Sequence, residues 1–285
     1  MTSFASINNC PVTTGSLSRT FTGGPTYSGV VVPGSTTGTP LANSLSALGT
    51  VGCTAIDLNF SNFAVSTTGT NENALASLAG TYLSVTPTGT TQTGPDTLLF
   101  ATLQGDGTGA DNAQNDGVDN YKVNNSETFT TTQSYAVTDS ASRGIFEVLL
   151  TVNDITIATG GSGSFGIDTC LKGTGTNNPT GNITSQAACN KAVGGTGVFQ
   201  TSTITLAQLA SQTASISFAS HPTYVNVTQV ITLTGGTGIN ETGFLTFSDQ
   251  FEESPEPSTF VLMGTALAAV VFTRFRASFG ADKRT

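Results

Sequence analysis

Apolar and polar residues alternate along most of the chain with the two-residue period of β-strands. The alternation occurs in four stretches, whose apolar positions are Ile56, Leu58 and Phe60; Ile204 and Leu206; Ile216 and Phe218; and Val225, Val227, Ile231 and Leu233. A strand with one buried and one solvated face has this pattern. Over residues 145–152 both parities are largely apolar, which predicts a central strand covered on both faces.

Glycine-rich turns separate these stretches, and only residues 41–48 have a short helical pattern. Many short strands with glycine-rich turns are typical of two packed antiparallel sheets. No internal repeat is present, which argues against a β-helix or propeller. The sequence therefore predicts an all-β fold, an antiparallel, jelly-roll-like β-sandwich.

The composition excludes several other classes of protein. Charged residues make up only 9% of the chain, whereas Thr and Ser number 52 and 28. Helical bundles and coiled coils need charged exposed faces, so both are excluded. A net charge of −9 and a pI of about 4.3 would repel phosphates, so we expect no nucleic-acid partner.

The charges are segregated, which sets the C-terminal segment apart. Residues 1–256 have a net charge of −12, and residues 257–285 have +3. The 17 residues 257–273 carry no charge and, as a helix, span roughly 25 Å, the short end of a bilayer crossing. Arg274 and Arg276 follow at once, which predicts a transmembrane helix with a cytoplasmic C-terminus. A buried core helix is the alternative.

Three parts of this tail stand in a characteristic order. They are Pro255-Glu256-Pro257, the apolar run Phe260–Phe272, and Arg274-Phe275-Arg276. Together they resemble a PEP-CTERM sorting signal. The resemblance implies cleavage near Pro255, Glu256 and Pro257 by an exosortase, a membrane protease, with Arg274 and Arg276 as the membrane stop. The nine residues 277–285 depart from the family pattern, whose tails usually end soon after the arginines.

The resemblance implies four parts in the chain and a route of export. We expect a β-sandwich exported domain over 1–250 and an acidic, proline-containing linker over 251–257. A transmembrane helix with its basic stop follows over 258–276, and then a short cytoplasmic tail over 277–285. The domain would lie outside the inner membrane and then reach the cell surface or extracellular matrix.

A secretion signal at the N-terminus is also implied, but residues 1–9 have neither a basic nor an apolar region. We expect the true signal peptide to lie upstream of Met1. The alternative is that the C-terminal helix directs insertion alone.

Four cysteines agree with export. They are Cys10, Cys53, Cys170 and Cys189, and an even number in an exported chain predicts disulfides, for which three pairings exist. The nearest-neighbour choice is Cys10–Cys53 with Cys170–Cys189. Metal binding or a catalytic thiol is the alternative, but no C-x-x-C motif supplies a ligand set.

One stretch of the body also resembles a subset of PEP-CTERM proteins. Gly52-Cys53-Thr54-Ala55-Ile56-Asp57 is followed by Phe60-Ser61-Asn62-Phe63, and the Leu-containing segment 41–48 precedes the cysteine. This looser resemblance implies an exported β-rich domain, and it assigns no biochemical role.

The residues offer little for catalysis. His221 is the only histidine, and no G-x-S-x-G motif occurs, so a serine-histidine triad is not supported. Glu147, Asp154 and Asp168 are carboxylates that a glycosidase could use, but their spacing carries no signal. We expect no enzyme. A polysaccharide-binding module remains an alternative, although the chain has no Trp and only five Tyr for stacking against sugars.

One acidic loop is a candidate calcium site. Asp106, Asp111, Asp116 and Asp119 lie in one glycine-rich segment without basic residues. Calcium prefers six to eight oxygen ligands from a flexible loop, but the spacing is not that of an EF-hand, and a solvated loop is the alternative.

The sequence thus predicts an exported structural or adhesive protein, partnered by exosortase and the inner membrane. A polysaccharide- or calcium-binding module is the rival function. No cofactor other than calcium is expected.

Overall fold

The fold was obtained as a computed structural model of the whole chain. It describes residues 10, 13–20, 26–33, 52–55, 57–69, 81–87, 96–102, 121–123, 127–209, 211–237, 241–244, 246–253, 265 and 267. For 13–20, 26–33, 67, 81–87, 96–102, 122 and 246 only the backbone is described. The chain divides into two compact units, Met1–Glu253 and Ser254–Thr285.

The described part of the first unit consists mostly of antiparallel strands and the loops between them. They are β1 (Thr13–Thr20), β2 (Thr26–Pro33), β3 (Cys53–Ala55), β4 (Leu58–Gly69), β5 (Thr81–Pro87), β6 (Asp96–Thr102), β7 (Lys122–Val123), β8 (Thr128–Asp139), β9 (Ile145–Asn153), β10 (Ser162–Leu171), β11 (Val198–Thr205), β12 (Ser211–Ser217), β13 (Tyr224–Thr234), β14 (Thr242–Gly243) and β15 (Thr246–Glu253). Within the described ranges of this unit, a helix, α1 (Gln186–Val193), lies between β10 and β11.

Two large sheets form the body of this unit. One has six strands in the order β11-β10-β13-β8-β4-β3, and the other has five in the order β12-β9-β15-β6-β5. Pairs β1–β2 and β7–β14 form two small sheets. From β8 to β13 the chain changes sheet at every connection except β10 to β11, an alternation also found in jelly rolls. The predicted antiparallel sandwich is confirmed.

The core lies between the two large sheets. Fully buried side chains come from both of them, for example Phe165, Val227 and Ile231 from the six-stranded sheet and Val152 and Phe247 from the five-stranded sheet. The parities of the predicted strands agree with this arrangement. The predicted apolar positions that the structure describes are all buried, whereas Ile56 lies outside the described residues; the buried positions are Leu58, Phe60, Ile204, Leu206, Ile216, Phe218, Val225, Val227, Ile231 and Leu233.

Strand β9 differs from expectation on one face. It is an interior strand, between β12 and β15, as predicted. However, Val148, Leu150 and Val152 are buried, whereas Leu149 is only half-buried. The strand is therefore covered fully on the core face alone, because one sheet packs against it and no layer of helices from the described segments covers the other side.

Helix α1 was not anticipated by the sequence pattern. The Ser185 side chain caps its start by accepting a hydrogen bond from the Ala188 N–H, and Gly194 ends it in the left-handed conformation (φ 68°). The segment around it packs on the outer face of the six-stranded sheet, where the Ile183 N–H donates to Thr228 Oγ1 over 3.0 Å. Residues 41–48, the helix expected instead, lie outside the described part of the chain.

Of the second unit, only Thr265 and Leu267 are described, both in helical conformation. Among the residues that the structure describes, no helix has the length and apolarity needed to cross a membrane.

Candidate functional site

Both predicted disulfides are formed, with the nearest-neighbour pairing. Cys10 bonds to Cys53 with a Cα–Cα distance of 4.8 Å, and Cys170 bonds to Cys189 with 5.6 Å. No cysteine is left free. One bond anchors the start of β3, and the other anchors α1 to β10. Disulfides of this kind are typical of proteins that fold in an oxidising compartment outside the cytosol.

A buried ion cluster lies at one end of the sandwich. Arg143, in the turn between β8 and β9, pairs with Asp57 in the turn before β4 and with Glu253 at the end of β15. The Arg143 Nη2 to Glu253 Oε2 distance is 2.5 Å, and the two side chains are 5% and 3% exposed. The cluster joins three distant segments, so one side chain holds both the disulfide-linked N-terminal region and the last strand.

The turn that carries Arg143 is itself held by a carboxylate. Asp139 accepts hydrogen bonds from the backbone N–H groups of Ala141 (2.7 Å) and Gly144 (2.6 Å). Gly144 has a φ of 88°, and a Cβ there would lie 2.3 Å from the His221 carbonyl oxygen. Burial raises the pKa of Glu253, and the hydrogen bond from Arg143 opposes this rise. The buried Arg143 guanidinium, paired with Asp57 and Glu253, stabilises the fold by connecting these segments.

A second polar group lies in the centre of the core. Asp249 on β15 is fully buried and accepts hydrogen bonds from the Tyr135 hydroxyl on β8 and the Gln229 amide on β13. Because β15 belongs to one sheet and β8 and β13 to the other, these bonds connect the two sheets. Beside them, the Gln133 amide donates to the Tyr121 hydroxyl over 2.7 Å.

Burial dominates the acid-base properties of this group. It raises the pKa of Asp249 to about 7, against the lowering effect of the hydrogen bond from Tyr135. Burial and the Asp249 carboxylate raise the pKa of Tyr135. The atoms left without a hydrogen bond, Asp249 Oδ1, Gln133 Oε1 and Gln229 Oε1, are all acceptors. A proton on Asp249 would therefore relieve the shortage of donors, which agrees with its raised pKa.

The outer face of the six-stranded sheet carries rows of hydroxyl groups. One row crosses five strands through register partners and consists of Thr205, Ser164, Thr232, Thr130 and Thr68. The Oγ1 atoms of Thr130 and Thr232 are 3.5 Å apart. The neighbouring row consists of Thr203, Gly166, Val230, Thr132 and Ser66. Eight of these ten residues are Thr or Ser, and Gly166 and Val230 interrupt the second row. The two rows, termed the hydroxyl face, contain no charged residue.

Most of the predicted site residues lie outside the described residues. This applies to the sorting motif Pro255, Glu256 and Pro257, to the stop residues Arg274 and Arg276, and to the acidic loop with Asp106, Asp111, Asp116 and Asp119. Within the described part of the chain, no group of three or more His, Cys, Asp or Glu side chains could hold a metal ion.

The carboxylates considered for glycoside hydrolysis lie on different elements. Glu147 is on the five-stranded sheet, Asp168 is on the six-stranded sheet, and Asp154 follows the end of β9. Burial raises the pKa of Asp154 and of Asp168. His221 is exposed in a turn with a φ of 45°, where its ring lies 5.5 Å from the Phe146 ring, edge to face.

The fold and its bonds define the class of the protein as an all-β, antiparallel two-sheet sandwich braced by two disulfides. No protein-family model matches the chain, and no curated protein matches it either. A solved structure, that of TmCBM61 in complex with beta-1,4-galactotriose, is similar over 76% of this chain and 99% of that chain, with 9% identity and a TM-score of 0.29. A likeness this weak supports no inference about fold or ligand.

Proposed function

We propose that this is an exported protein of the cell surface or extracellular matrix, delivered by a C-terminal PEP-CTERM signal that an exosortase processes. The observation that carries the proposal is the order of the tail: Pro255-Glu256-Pro257, an uncharged run to Thr273, and Arg274 with Arg276. Proline keeps the cleavage region extended. The arginines stop transfer, because moving a guanidinium through hydrocarbon costs about 3 kcal/mol or more.

The fold supports this proposal because the sandwich ends just before the motif. Strand β15 ends at Glu253, two residues before Pro255. It lies between β9 and β6 in the five-stranded sheet, and Arg143 holds its last residue. Cleavage after Pro257 would therefore remove none of the strands that the structure describes. The disulfides are further support, since such bonds form and persist mainly in oxidising compartments.

We assign the sandwich a structural or adhesive role and no catalysis. The only histidine, His221, is exposed in a turn and packs against Phe146. The polar groups that the structure buries, around Arg143 and Asp249, connect strands to one another. These groups stabilise the fold and are not presented to a substrate.

The test is processing in a cell that has exosortase. We expect intact-mass analysis of surface-delivered protein to show loss of about the 28 residues after Pro257. A Glu256→Ala, Pro257→Ala variant should remain full length in the inner membrane. A Glu252→Ala, Ser254→Ala variant, changed beside the motif, is the matched control and should be processed normally. Surface-delivered protein that retains Arg274 and Arg276 would show that the segment is a permanent anchor.

Binding of a neutral polysaccharide is a second candidate function, favoured by the hydroxyl face. Its Thr and Ser side chains offer donors and acceptors, and the two rows contain no charged residue. An anionic polymer would find no cation there. The test is a glycan array with and without calcium, comparing the protein with a Thr130→Val, Thr232→Val variant, which removes two hydroxyl groups with little change in shape. Thr151→Val, on the other sheet, is the control, and equal binding by all three would exclude this face.

A further inference from the structure

Strand β11 forms one edge of the six-stranded sheet. It pairs with β10 through eight consecutive partners, from Leu171↔Val198 to Ser164↔Thr205, without a bulge. On its other side, no strand of the described residues pairs with it. The opposite edge of the same sheet is β3, which has only three residues and is tied through Cys53 to Cys10. One edge is therefore short and bonded, and the other is long and open.

The sequence of β11 lacks the features by which proteins usually protect an edge strand from within. Protected edges carry lysines, prolines or bulges, or are covered by another element. The sequence of β11, VFQTSTIT, has no charged residue and no proline. Val198 is 46% exposed, and Thr201, Thr203 and Thr205 are exposed as well. Nothing in the strand itself prevents a further strand from pairing with it.

Backbone groups are available for such pairing. Alternate residues of an edge strand direct their N–H and C=O groups away from the sheet. Within the part of the chain that the structure describes, the only backbone hydrogen bonds of Phe199–Ile204 are those to β10. A strand added at this edge would satisfy these groups, which supplies the affinity in β-strand addition.

The edge is also held in shape by two glutamines. The Gln200 amide donates to the Ser217 carbonyl oxygen over 3.3 Å, and the Gln212 amide donates to the Thr205 carbonyl oxygen over 3.3 Å. These bonds brace β11 against β12 near both of its ends. A preformed edge loses less conformational entropy on binding than a mobile one.

The distribution of charge indicates which partner the edge accepts. The whole chain has a net charge of −9, so two copies repel each other over most of their surfaces. The 49 residues 192–240, which include β11 and β12, contain no Asp, Glu, Lys or Arg. Two copies that meet through β11 therefore bring together no charged side chain of this stretch.

We propose that β11 docks against β11 of a second copy of this chain, antiparallel and about a twofold axis, so that the two six-stranded sheets become continuous. An antiparallel strand pair related by a twofold axis is self-complementary, because each residue meets the same environment in both copies. The biological use of such a dimer rests on the proposed structural role, in which copies of the protein associate outside the cell. The structure of the β11 edge does not depend on whether the C-terminal tail is a sorting signal.

Sedimentation velocity of the full chain over a range of concentrations tests the proposal. The wild type should form a dimer. A Thr201→Lys, Thr203→Lys variant should weaken association by at least about tenfold, because the lysines of the two copies would come close to one another on the same face of the new strand pair, and like charges on paired strands oppose pairing. The matched control is Thr130→Lys, Thr232→Lys, which places the same charges on interior strands of the same face and should dimerise normally. Both variants reduce the net negative charge, so general repulsion does not explain a loss.

Two results would overturn the proposal. One is a wild type that stays monomeric at every concentration, as expected if the edge serves a strand of another protein. The other is association that the edge lysines leave unchanged, as expected if the apolar tail drives it. Failure of exosortase processing would not change the sedimentation of the wild type or of the lysine variant. The sorting proposal and the dimer proposal can therefore be disproved separately.

Discussion

Asp249 on β15 accepts a hydrogen bond from the Tyr135 hydroxyl on β8, and this bond connects the two large sheets through the centre of the core. Both residues are fully buried. Polar groups in such surroundings are costly unless they are paired. The contact therefore selects one arrangement of the sheets, because a shift of either strand would leave a buried carboxylate or hydroxyl without its partner.

Removal of the Tyr135 hydroxyl should destabilise the sandwich. Tyr135→Phe leaves Asp249 with one donor fewer in the core, and we expect a loss of about 1–3 kcal/mol in the free energy of unfolding. Urea unfolding measures it. Tyr224→Phe is the control, because the Tyr224 hydroxyl, which donates to the Pro179 carbonyl oxygen over 2.9 Å, is only partly buried and should matter less. Equal losses in both variants would contradict a special role for the core bond.

Stability should depend on pH through Asp249. Burial raises its pKa from 3.8 to about 7, so the folded protein keeps a proton that the unfolded chain releases. Stability should therefore decrease as the pH rises from about 4 to about 7 and then level off, with a contribution of up to about 4 kcal/mol. The raised pKa of Glu253 acts in the same direction.

Urea unfolding at several pH values, for the wild type and Asp249→Asn, measures this dependence. The Asn variant should lose most of the slope, since it has no proton to release. A wild type that becomes more stable between pH 4 and pH 7 would show that Asp249 is ionised in the folded protein.

Loss of Arg143 should be among the most damaging single changes. Arg143→Ala leaves Asp57 and Glu253 buried without a counter-charge, and breaking a buried ion pair in this way costs about 3–5 kcal/mol. Lys172→Ala removes an exposed positive charge and should cost little. Thermal unfolding compares them, and similar melting temperatures for the two variants would argue against the cluster as a brace.

Each disulfide should contribute measurably to stability. Cys170 and Cys189 are 19 residues apart, and Cys10 and Cys53 are 43 apart. In the chain-entropy model each bond adds about 3–4 kcal/mol. The double variants Cys170→Ser, Cys189→Ser and Cys10→Ser, Cys53→Ser should unfold at lower denaturant concentrations. Peptide mapping without reductant should recover both linked peptides from protein in its native compartment, and free thiols there would contradict the export proposal.

Calcium binding by the acidic loop stays a prediction from sequence. If Asp106, Asp111, Asp116 and Asp119 hold the ion, millimolar calcium should raise the melting temperature by mass action. An Asp116→Ala, Asp119→Ala variant should lose the response, whereas magnesium should produce a smaller one in the wild type. No shift in the wild type would identify the segment as a solvated loop.

Strand β13 shows what could be predicted from the sequence and what could not. Its alternation placed Val225, Val227, Ile231 and Leu233 on one face, and all four are buried in the core. Gln229 has the same parity, and by sequence alone it interrupts the pattern. In the fold it points inward and donates to Asp249. A two-residue period reveals which side chains share a face, but the partner that makes a buried amide acceptable comes from another strand, 20 residues away.

The sequence by itself determined the strand-rich class, the faces of the main strands and the even set of cysteines, because periodicity and composition are local properties. Only the tertiary structure decided the cysteine pairing, the positions of β11 and β3 at opposite edges of one sheet, and the Arg143 cluster. Helix α1 is another feature that only the tertiary structure decided. It has eight residues, too few to be stable alone, and it is held by the Cys170–Cys189 bond and by packing on the sheet. Such features depend on contacts between segments far apart in the chain, and no local pattern specifies which segments meet.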